Sequence, residues 1–274
     1  MEPIMKWAGG KRQLLTYIKS TININDLVGH RIFEPFVGGG AFFLDLAHDN
    51  VLINDINKEL INVYVQIKNN PKELIKLLKK HQANHCHDYY YEIRNYDRNG
   101  IINNLSEVKQ AARTIYLNRV CYNGLYRVNS SGQFNVPLGK YKNPDIVFED
   151  KILEIHDYLI NNNIEIMSVD FEIAVQSANA GDLVYFDPPY DYDDSGFTSY
   201  TCNGFSKDDL KRLKNVCDDL ISKGCKVVVS NNDTAFVNQL FDNDSYHIKH
   251  VMAKRMINCK GQQRNFVKEV VIYG

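Results

Sequence analysis

The sequence predicts an α/β protein: a doubly wound sheet interrupted by an inserted, mostly helical module that ends in a β-hairpin. Three observations predict it. A short apolar run, Arg31 to Phe36, enters the glycine turn Gly38-Gly39-Gly40, a helix-like run from Ala41 to Ala47 and a second short run, Val51 to Ile53. Strand, turn, helix and strand in that order begin a doubly wound sheet. A long stretch of helical periodicity then intervenes, from about Lys58 to Tyr158. Beyond it the strand-like runs resume at Ile164–Ile166, Asp182–Phe186, Lys226–Ser230, Tyr246–Val251 and Phe266–Tyr273.

Within the insertion, Leu60, Ile61, Tyr64, Val65 and Ile67 recur at helical spacing, as do Leu74, Ile75, Leu77 and Leu78. Pro71, just after Asn69-Asn70, suits the first position of a helix. A further helix is expected from Glu107 to Val120. Glycine and polar residues dominate Asn123–Tyr141, with Asn129-Ser130-Ser131-Gly132 as the expected hairpin turn. A helix at Lys207–Ser222 separates two of the later strands. Residues 1–57 and 159–274 are therefore expected to form one domain, with 58–158 inserted.

At 274 residues, 44% hydrophobic and 24% charged, the chain has the composition of a soluble globular protein. No apolar run approaches a membrane span. The N-terminal Met1–Trp7 carries no charged-then-apolar targeting segment. Six cysteines are scattered without paired spacing, which favours reduced thiols in a cytoplasmic protein over disulfides or a zinc site. A monomer is expected, with no metal and no membrane partner. The net charge of −1 hides a segregated distribution. Arg98–Lys142 holds seven Lys/Arg and one acid, and Lys249–Lys268 holds six and none, whereas Asp182–Asp219 holds nine acids and four bases. Such segregation can build a basic face on a neutral protein, and equally can be dispersed over solvated surfaces.

The most informative motif is Asp187-Pro188-Pro189-Tyr190, at the end of the apolar run Gly181–Phe186. Two prolines cannot donate ladder hydrogen bonds, so the strand stops and turns there. The turn leaves a carboxylate, a proline carbonyl and a flat ring at the carboxyl edge of a sheet, where open α/β sheets bind ligands. Two acceptors and a stacking surface suit a planar, amine-bearing substrate such as adenine; an ordinary strand-ending turn is the plain alternative.

The turn Phe36-Val37-Gly38-Gly39-Gly40 lacks the G-x-G-x-x-G spacing of dinucleotide sites, and no Gly-Lys-Ser/Thr follows for a triphosphate. Asp55, at the end of the second strand, is placed to hold ribose hydroxyls or to cap the next helix. S-adenosylmethionine needs no phosphate cradle and fits this set. Lys6-Trp7-Ala8-Gly9-Gly10-Lys11 adds the only tryptophan and two lysines around a flexible turn, either a plain surface turn or a ring and a cation for the methionine part of that cofactor.

In this order, these pieces resemble the Dam family of DNA adenine methyltransferases, over nearly the whole chain. The matching segments are Lys6–Lys11, Glu34–Gly40, Asn54-Asp55, Arg119–Asn129 continuing through Phe134–Pro137, and Asp187–Tyr190. The resemblance implies a Rossmann-like methyltransferase sheet and double-stranded DNA as substrate. It assigns S-adenosylmethionine to Trp7, Lys11, Phe36, Gly38, Gly40, Asp55, Asp170 and Asp187, and chemistry to Asp187, Pro188 and Tyr190. Asp170, in Val169-Asp170-Phe171, is also read as a strand-end turn acid. DNA contacts are implied for Lys6, Arg119, Tyr122, Asn123, Leu125, Arg127 and Pro137. The family's usual recognition sequence is GATC. An arginine such as Arg127 can grip a guanine's two major-groove acceptors, and Leu125 a thymine methyl. Tyr122 and Asn123 suit the gap left by a flipped adenine. The polar loop Asp191–Tyr200 is expected to order over that base.

The same skeleton serves amino methyltransferases acting on cytosine, RNA or a protein glutamine. Asp187 favours adenine among these, and the inserted hairpin favours duplex DNA. A non-catalytic DNA-binding relative is the reading from another class, opposed by the intact Asp187–Tyr190 and Phe36–Gly40. A solitary role and partnership with a cognate restriction endonuclease are both open. His81, His85 and His87 beside Cys86 imitate a metal cluster but lack the H-E-x-x-H pattern, so a solvated helix end is expected there.

Overall fold

The computed structural model describes residues 1–7, 12–192, 205–254 and 266–274. Chain order is α1 (Arg12–Ser20), β1 (Ile32–Glu34), α2 (Ala41–Leu46), β2 (Asn50–Asn54), α3 (Lys58–Asn69), α4 (Pro71–Ala83), α5 (His87–Arg94), α6 (Glu107–Val120) and α7 (Glu149–Asn161). There follow β3 (Asn163–Met167), α8 (Phe171–Ala174), β4 (Leu183–Phe186), α9 (Lys207–Ser222), β5 (Lys226–Asn232), α10 (Ala235–Leu240), β6 (His247–Lys254) and β7 (Phe266–Tyr273). Two compact units result. The first comprises Met1–Gly10, Gly38–Ala47 and Asn57–Ser168, the second Lys11–Val37, His48–Ile56 and Val169–Gly274.

In the second unit, six strands lie in the order β2-β1-β4-β5-β7-β6. Neighbours from β2 to β5 are parallel, and β7 enters antiparallel to both β5 and β6. All four residues of β4 are buried, which is why it reads as a continuous apolar run and not as an alternation. Asp182 fixes where β4 starts. Its carboxylate, 5% exposed, accepts from the Arg31 amide at 2.8 Å and the Asn179 amide at 2.9 Å. Gly181 precedes it with φ +90°, and a Cβ there would fall 2.2 Å from the His30 ring, so glycine alone fits. The start of α9 is set by a capping box between Ser206 and Asp209.

In the first unit α6 is buried from Ala111 onward, with only Arg119 half-buried. Its Arg113, 1% exposed, donates to the Ile93 and Arg94 carbonyls and pairs with Asp97 at 3.0 Å. Asp97 also accepts from the Phe134 amide at 2.8 Å, so one half-buried carboxylate holds α6 against the segment predicted as a hairpin. That hairpin is reduced to a turn over Asn129–Gln133 and an isolated bridge, Val128↔Phe134, with a second bridge at Cys121↔Leu138. Asn129 closes the turn by accepting from the Ser131 and Gln133 amides, work that more ladder rungs would otherwise do.

α7 runs on to Asn161, with Tyr158 and Leu159 continuing its buried face. In the His81–His87 stretch, residues 82–84 and 86–87 are exposed, as expected of a solvated helix end, whereas His81 and His85 are half-buried. His81 stacks on Tyr116 at 4.8 Å and bonds the Tyr89 hydroxyl, and His85 bonds the Tyr116 hydroxyl. Burial pushes His81 down to about 4, so it packs as a neutral ring.

Candidate active site

The site in the second unit grows from the carboxyl ends of β1, β2, β4 and β5. Asn54, the last residue of β2 and 1% exposed, clamps two chain crossings at once. Its amide donates to the Pro35 carbonyl and to the Val169 carbonyl, each at 3.0 Å, and its oxygen accepts from the Val169 amide at 2.9 Å. The backbone of Asn54 also accepts from the Val37 amide at 2.8 Å. The clamp therefore fixes the residues beside half-buried Asp55, beside Phe36 and beside Asp170. Sequence reasoning placed Asn54 in the Asn54-Asp55 match but assigned it no role; an amide at a strand end following an apolar run was the available signal.

Asp170 caps α8 by accepting from the Glu172 amide at 3.0 Å, and its other oxygen accepts from Arg212 Nη2 at 2.6 Å. Arg212, on α9, also binds Glu172 and Asp209 and lies 4.5 Å over the Phe171 ring. Those carboxylates hold its guanidinium above the usual arginine range. Phe171 meets Phe36 at 5.4 Å, and Phe36 in turn meets Phe186 at 6.4 Å and Phe205 at 5.6 Å. Aromatic rings and acids, with no lysine following a glycine turn, fit an adenosine-bearing ligand without phosphates.

Beyond β4 the chain passes through half-buried Asp187, buried Pro188, exposed Pro189 and half-buried Tyr190. Asp187 Oδ1 accepts from Ser230 Oγ at 2.8 Å. The Tyr190 hydroxyl donates to Glu269 at 3.3 Å, and Glu269 is 8% exposed on β7. Behind them the Asp191 amide donates to Asn231 at 2.9 Å, and Thr234 donates to the Asp191 carboxylate at 2.7 Å. The tetrapeptide is thus held on both sides by β5, β7 and the start of α10. Residues 193–200 of the following loop lie outside the described residues, as does Lys11.

The first unit carries the remaining predicted residues. Trp7 stacks on Tyr126 at 5.1 Å and lies against the glycine turn, where a Cβ on Gly38 would sit 2.9 Å from its ring. Gly40 has φ +77°, and its Cβ would fall 2.5 Å from Phe43 and 2.6 Å from the Tyr64 hydroxyl. The Tyr64 hydroxyl donates to the Gly38 carbonyl at 3.0 Å. Protein packing alone therefore demands glycine at Gly40.

Lys6 is bound through its backbone to fully buried Asn118, which accepts from the Lys6 amide at 2.8 Å and donates to its carbonyl at 2.7 Å. Its ammonium lies over the Tyr141 ring at 4.5 Å. Asn118 is a second residue the sequence did not single out. Arg119 turns inward, over Phe148 at 4.1 Å and toward the Ile4 and Asp145 carbonyls, and desolvation lowers its affinity for its proton. Arg127 is tied to Asn135 by a 2.7 Å bond from Nε. Leu125 is half-buried. Tyr122 and Asn123 form an exposed knuckle with exposed Pro137, whose carbonyl accepts from the Tyr122 amide at 2.8 Å. Asn123 adopts φ +54°, which asparagine tolerates better than most residues.

Among the described residues no group of His, Cys, Asp and Glu is placed to hold a metal ion, and no helix is long and apolar enough to cross a membrane.

Residues 7–257 match the family model described as D12 class N6 adenine-specific DNA methyltransferase. The chain is 47% identical over 274 residues to Type II methyltransferase M1.LlaDCHI of Lactococcus lactis subsp. cremoris, covering 99% of this chain and 95% of that one. Identity to Type II methyltransferase M.MjaIII of Methanocaldococcus jannaschii is 40% over 280 residues, covering 96% and 95%. To the DNA adenine methylase of Escherichia coli strain K12 it is 30% over 271 residues, covering 97% and 93%. With its sheet, its aspartate-proline-proline-tyrosine edge and matches of this extent, the chain belongs to the D12 class of N6 adenine-specific DNA methyltransferases.

Proposed function

We propose that the protein methylates the exocyclic amine of an adenine within GATC in duplex DNA, using S-adenosylmethionine and a base flipped out of the helix. The observation that carries this reading is the aspartate-proline-proline-tyrosine turn at the carboxyl end of β4, with Asp187 anchored to Ser230 and Tyr190 to Glu269. A duplex hides the exocyclic amine, so the base has to leave the stack. Tyr190 stacks on it. The Asp187 carboxylate and the Pro188 carbonyl accept its N–H bonds, which draws the nitrogen lone pair out of ring conjugation and aims it. Positioning of this kind is worth roughly 7–11 kcal/mol for well-oriented reactants.

The family implies a donor of the S-adenosylmethionine type. Phe36, Asp55, Asp170 and Asp187 would hold it, with Trp7, Lys11, Gly38 and Gly40 sharing that assignment by resemblance. When bound, it supplies an electrophilic methyl on sulfur. Residues 58–158 would carry target recognition and the remainder the chemistry. The exposed knuckle of Tyr122 and Asn123, with Lys6, Arg119, Leu125, Arg127 and Pro137, would contact DNA. Arg119 and Arg127 would first have to exchange the protein contacts they now make.

The test uses methyl-labelled S-adenosylmethionine and two duplexes that differ only in one GATC site. Label on adenine of the GATC duplex alone supports both reaction and specificity. Label on both keeps the chemistry and removes the assignment of the recognition segment. Label on neither directs attention to RNA or protein substrates. Asp187→Ala is expected to abolish transfer while DNA binding persists; retained turnover in that variant would sink the mechanism.

A further inference from the structure

We infer that Ser230, backed by Tyr185, is a positioning residue for methyl transfer, holding the Asp187 carboxylate in the orientation from which it meets the target amine. The inference rests on the role proposed for Asp187. Ser230 Oγ donates to Asp187 Oδ1 at 2.8 Å. A serine hydroxyl has one proton, so the same oxygen is left to accept, and the Tyr185 hydroxyl lies 3.0 Å from it. Burial, with the charges of Asp187, Glu34 and Glu269, pushes the Tyr185 phenol well above its ordinary range, so it remains a donor.

The three groups form one directional relay, Tyr185 to Ser230 to Asp187. Tyr185 is 1% exposed and Ser230 fully buried, so water does not compete for the bond between the two hydroxyls. Register explains how the relay arises. β4 and β5 pair in parallel from Leu183↔Lys226 to Phe186↔Val229, so Asp187 and Ser230 leave the last paired rung side by side. Tyr185 precedes Asp187 by two residues, which puts both on one face of the strand. The sequence carries a trace of the device. Val227, Val228 and Val229 form an apolar run, and a buried hydroxyl immediately after it is costly unless hydrogen-bonded. Here the bond it makes is to the reacting carboxylate.

The experiment measures the single-turnover methylation rate of a GATC duplex across pH for wild type, Ser230→Ala and Tyr185→Phe. Affinities for S-adenosylmethionine and DNA, and the melting temperature, are measured in parallel. Misplacing a reacting group by an ångström costs on the order of 100-fold, so Ser230→Ala is expected to slow transfer by roughly 10–100-fold with both affinities unchanged. Donation from Ser230 favours the charged carboxylate, so its loss moves the acid limb of the rate profile to higher pH. Among the described residues, Glu34 on β1 and Glu269 on β7 are the charges besides Asp187 that act on Tyr185, and Ser230→Ala leaves them and Tyr185 in place.

Tyr185→Phe is expected to act in the same direction with a smaller effect, and it decides the matter by the same readouts if Ser230→Ala does not fold. A wild-type rate, or a slower rate with an unmoved acid limb, overturns the inference while leaving the role of Asp187 intact. A wild-type enzyme that puts no label on adenine overturns that role and the relay with it.

Discussion

Replacing Asn54 by alanine tests whether the end of β2 organises the site. The amide is 1% exposed and makes three bonds in the second unit, to the Pro35 and Val169 carbonyls and from the Val169 amide. Alanine removes all three and leaves the Val169 N–H without that acceptor. A donor so stranded at half-buried Val169 costs about 1–3 kcal/mol, and each lost bond to a carbonyl adds roughly 1 kcal/mol. The sum is about 3–5 kcal/mol, a large share of the 5–15 kcal/mol typical of a folded domain. Urea denaturation followed by circular dichroism measures it. Asn54→Asp supplies the control: it keeps an acceptor for Val169 but sets a carboxylate against two carbonyls, so it should be at least as damaging as alanine. Both variants should weaken S-adenosylmethionine binding more than DNA binding, because Asp55 and Asp170, the residues proposed to hold that cofactor, flank the clamp. A loss below about 1 kcal/mol for either would refute the accounting, since a buried amide with three partners cannot be removed that cheaply.

Gly40→Ala should destabilise the protein by about 2–5 kcal/mol, combining roughly 1–2 for a left-handed backbone with 1–3 for overpacking against Phe43 and Tyr64, and thermal melting checks it. For His81 the folded-state value of about 4 lies below the ordinary 6.5, so the unfolded chain takes up the proton first. Its contribution is fully present above pH 6.5 and is lost as the pH falls from there toward about 4. The gap corresponds to about 3 kcal/mol, and His81→Gln should flatten that part of a stability-against-pH curve. An unchanged curve would mean that His81 is not the group responsible.

Much of this protein is local in origin and could be read from the chain. The apolar runs at Phe33, Val51–Ile53, Leu183–Phe186 and Val227–Val229 are strands, and the periodic stretches at 58–69, 71–83, 107–120 and 207–222 are helices, near the bounds that pattern and capping chemistry predict. Pro71 begins a helix and the proline pair at 188–189 follows the end of a strand, because a ring that fixes φ and removes a donor acts on its own neighbours whatever the tertiary setting. The family is legible for the same reason: its motifs are contiguous.

What packing decided is everything that joins distant residues. The last strand lies between β5 and β6, so Glu269 comes within reach of Tyr190, and no period in the sequence announces that order. Ser230 meets Asp187, Arg212 meets Asp170 and Asn118 holds Lys6 through register and helix packing across many intervening residues. Of the histidines that imitate a metal site, His81 and His85 join a tyrosine cluster because α4, α5 and α6 bring Tyr89 and Tyr116 together there. Backbone conformation answers to nearest neighbours and turn chemistry, whereas the partner of a buried polar group is fixed only when sheet register and helix packing bring remote donors and acceptors together. The sequence by itself therefore determined the strands, the helices and the aspartate-proline-proline-tyrosine turn, and the tertiary structure alone decided what holds that tetrapeptide in place.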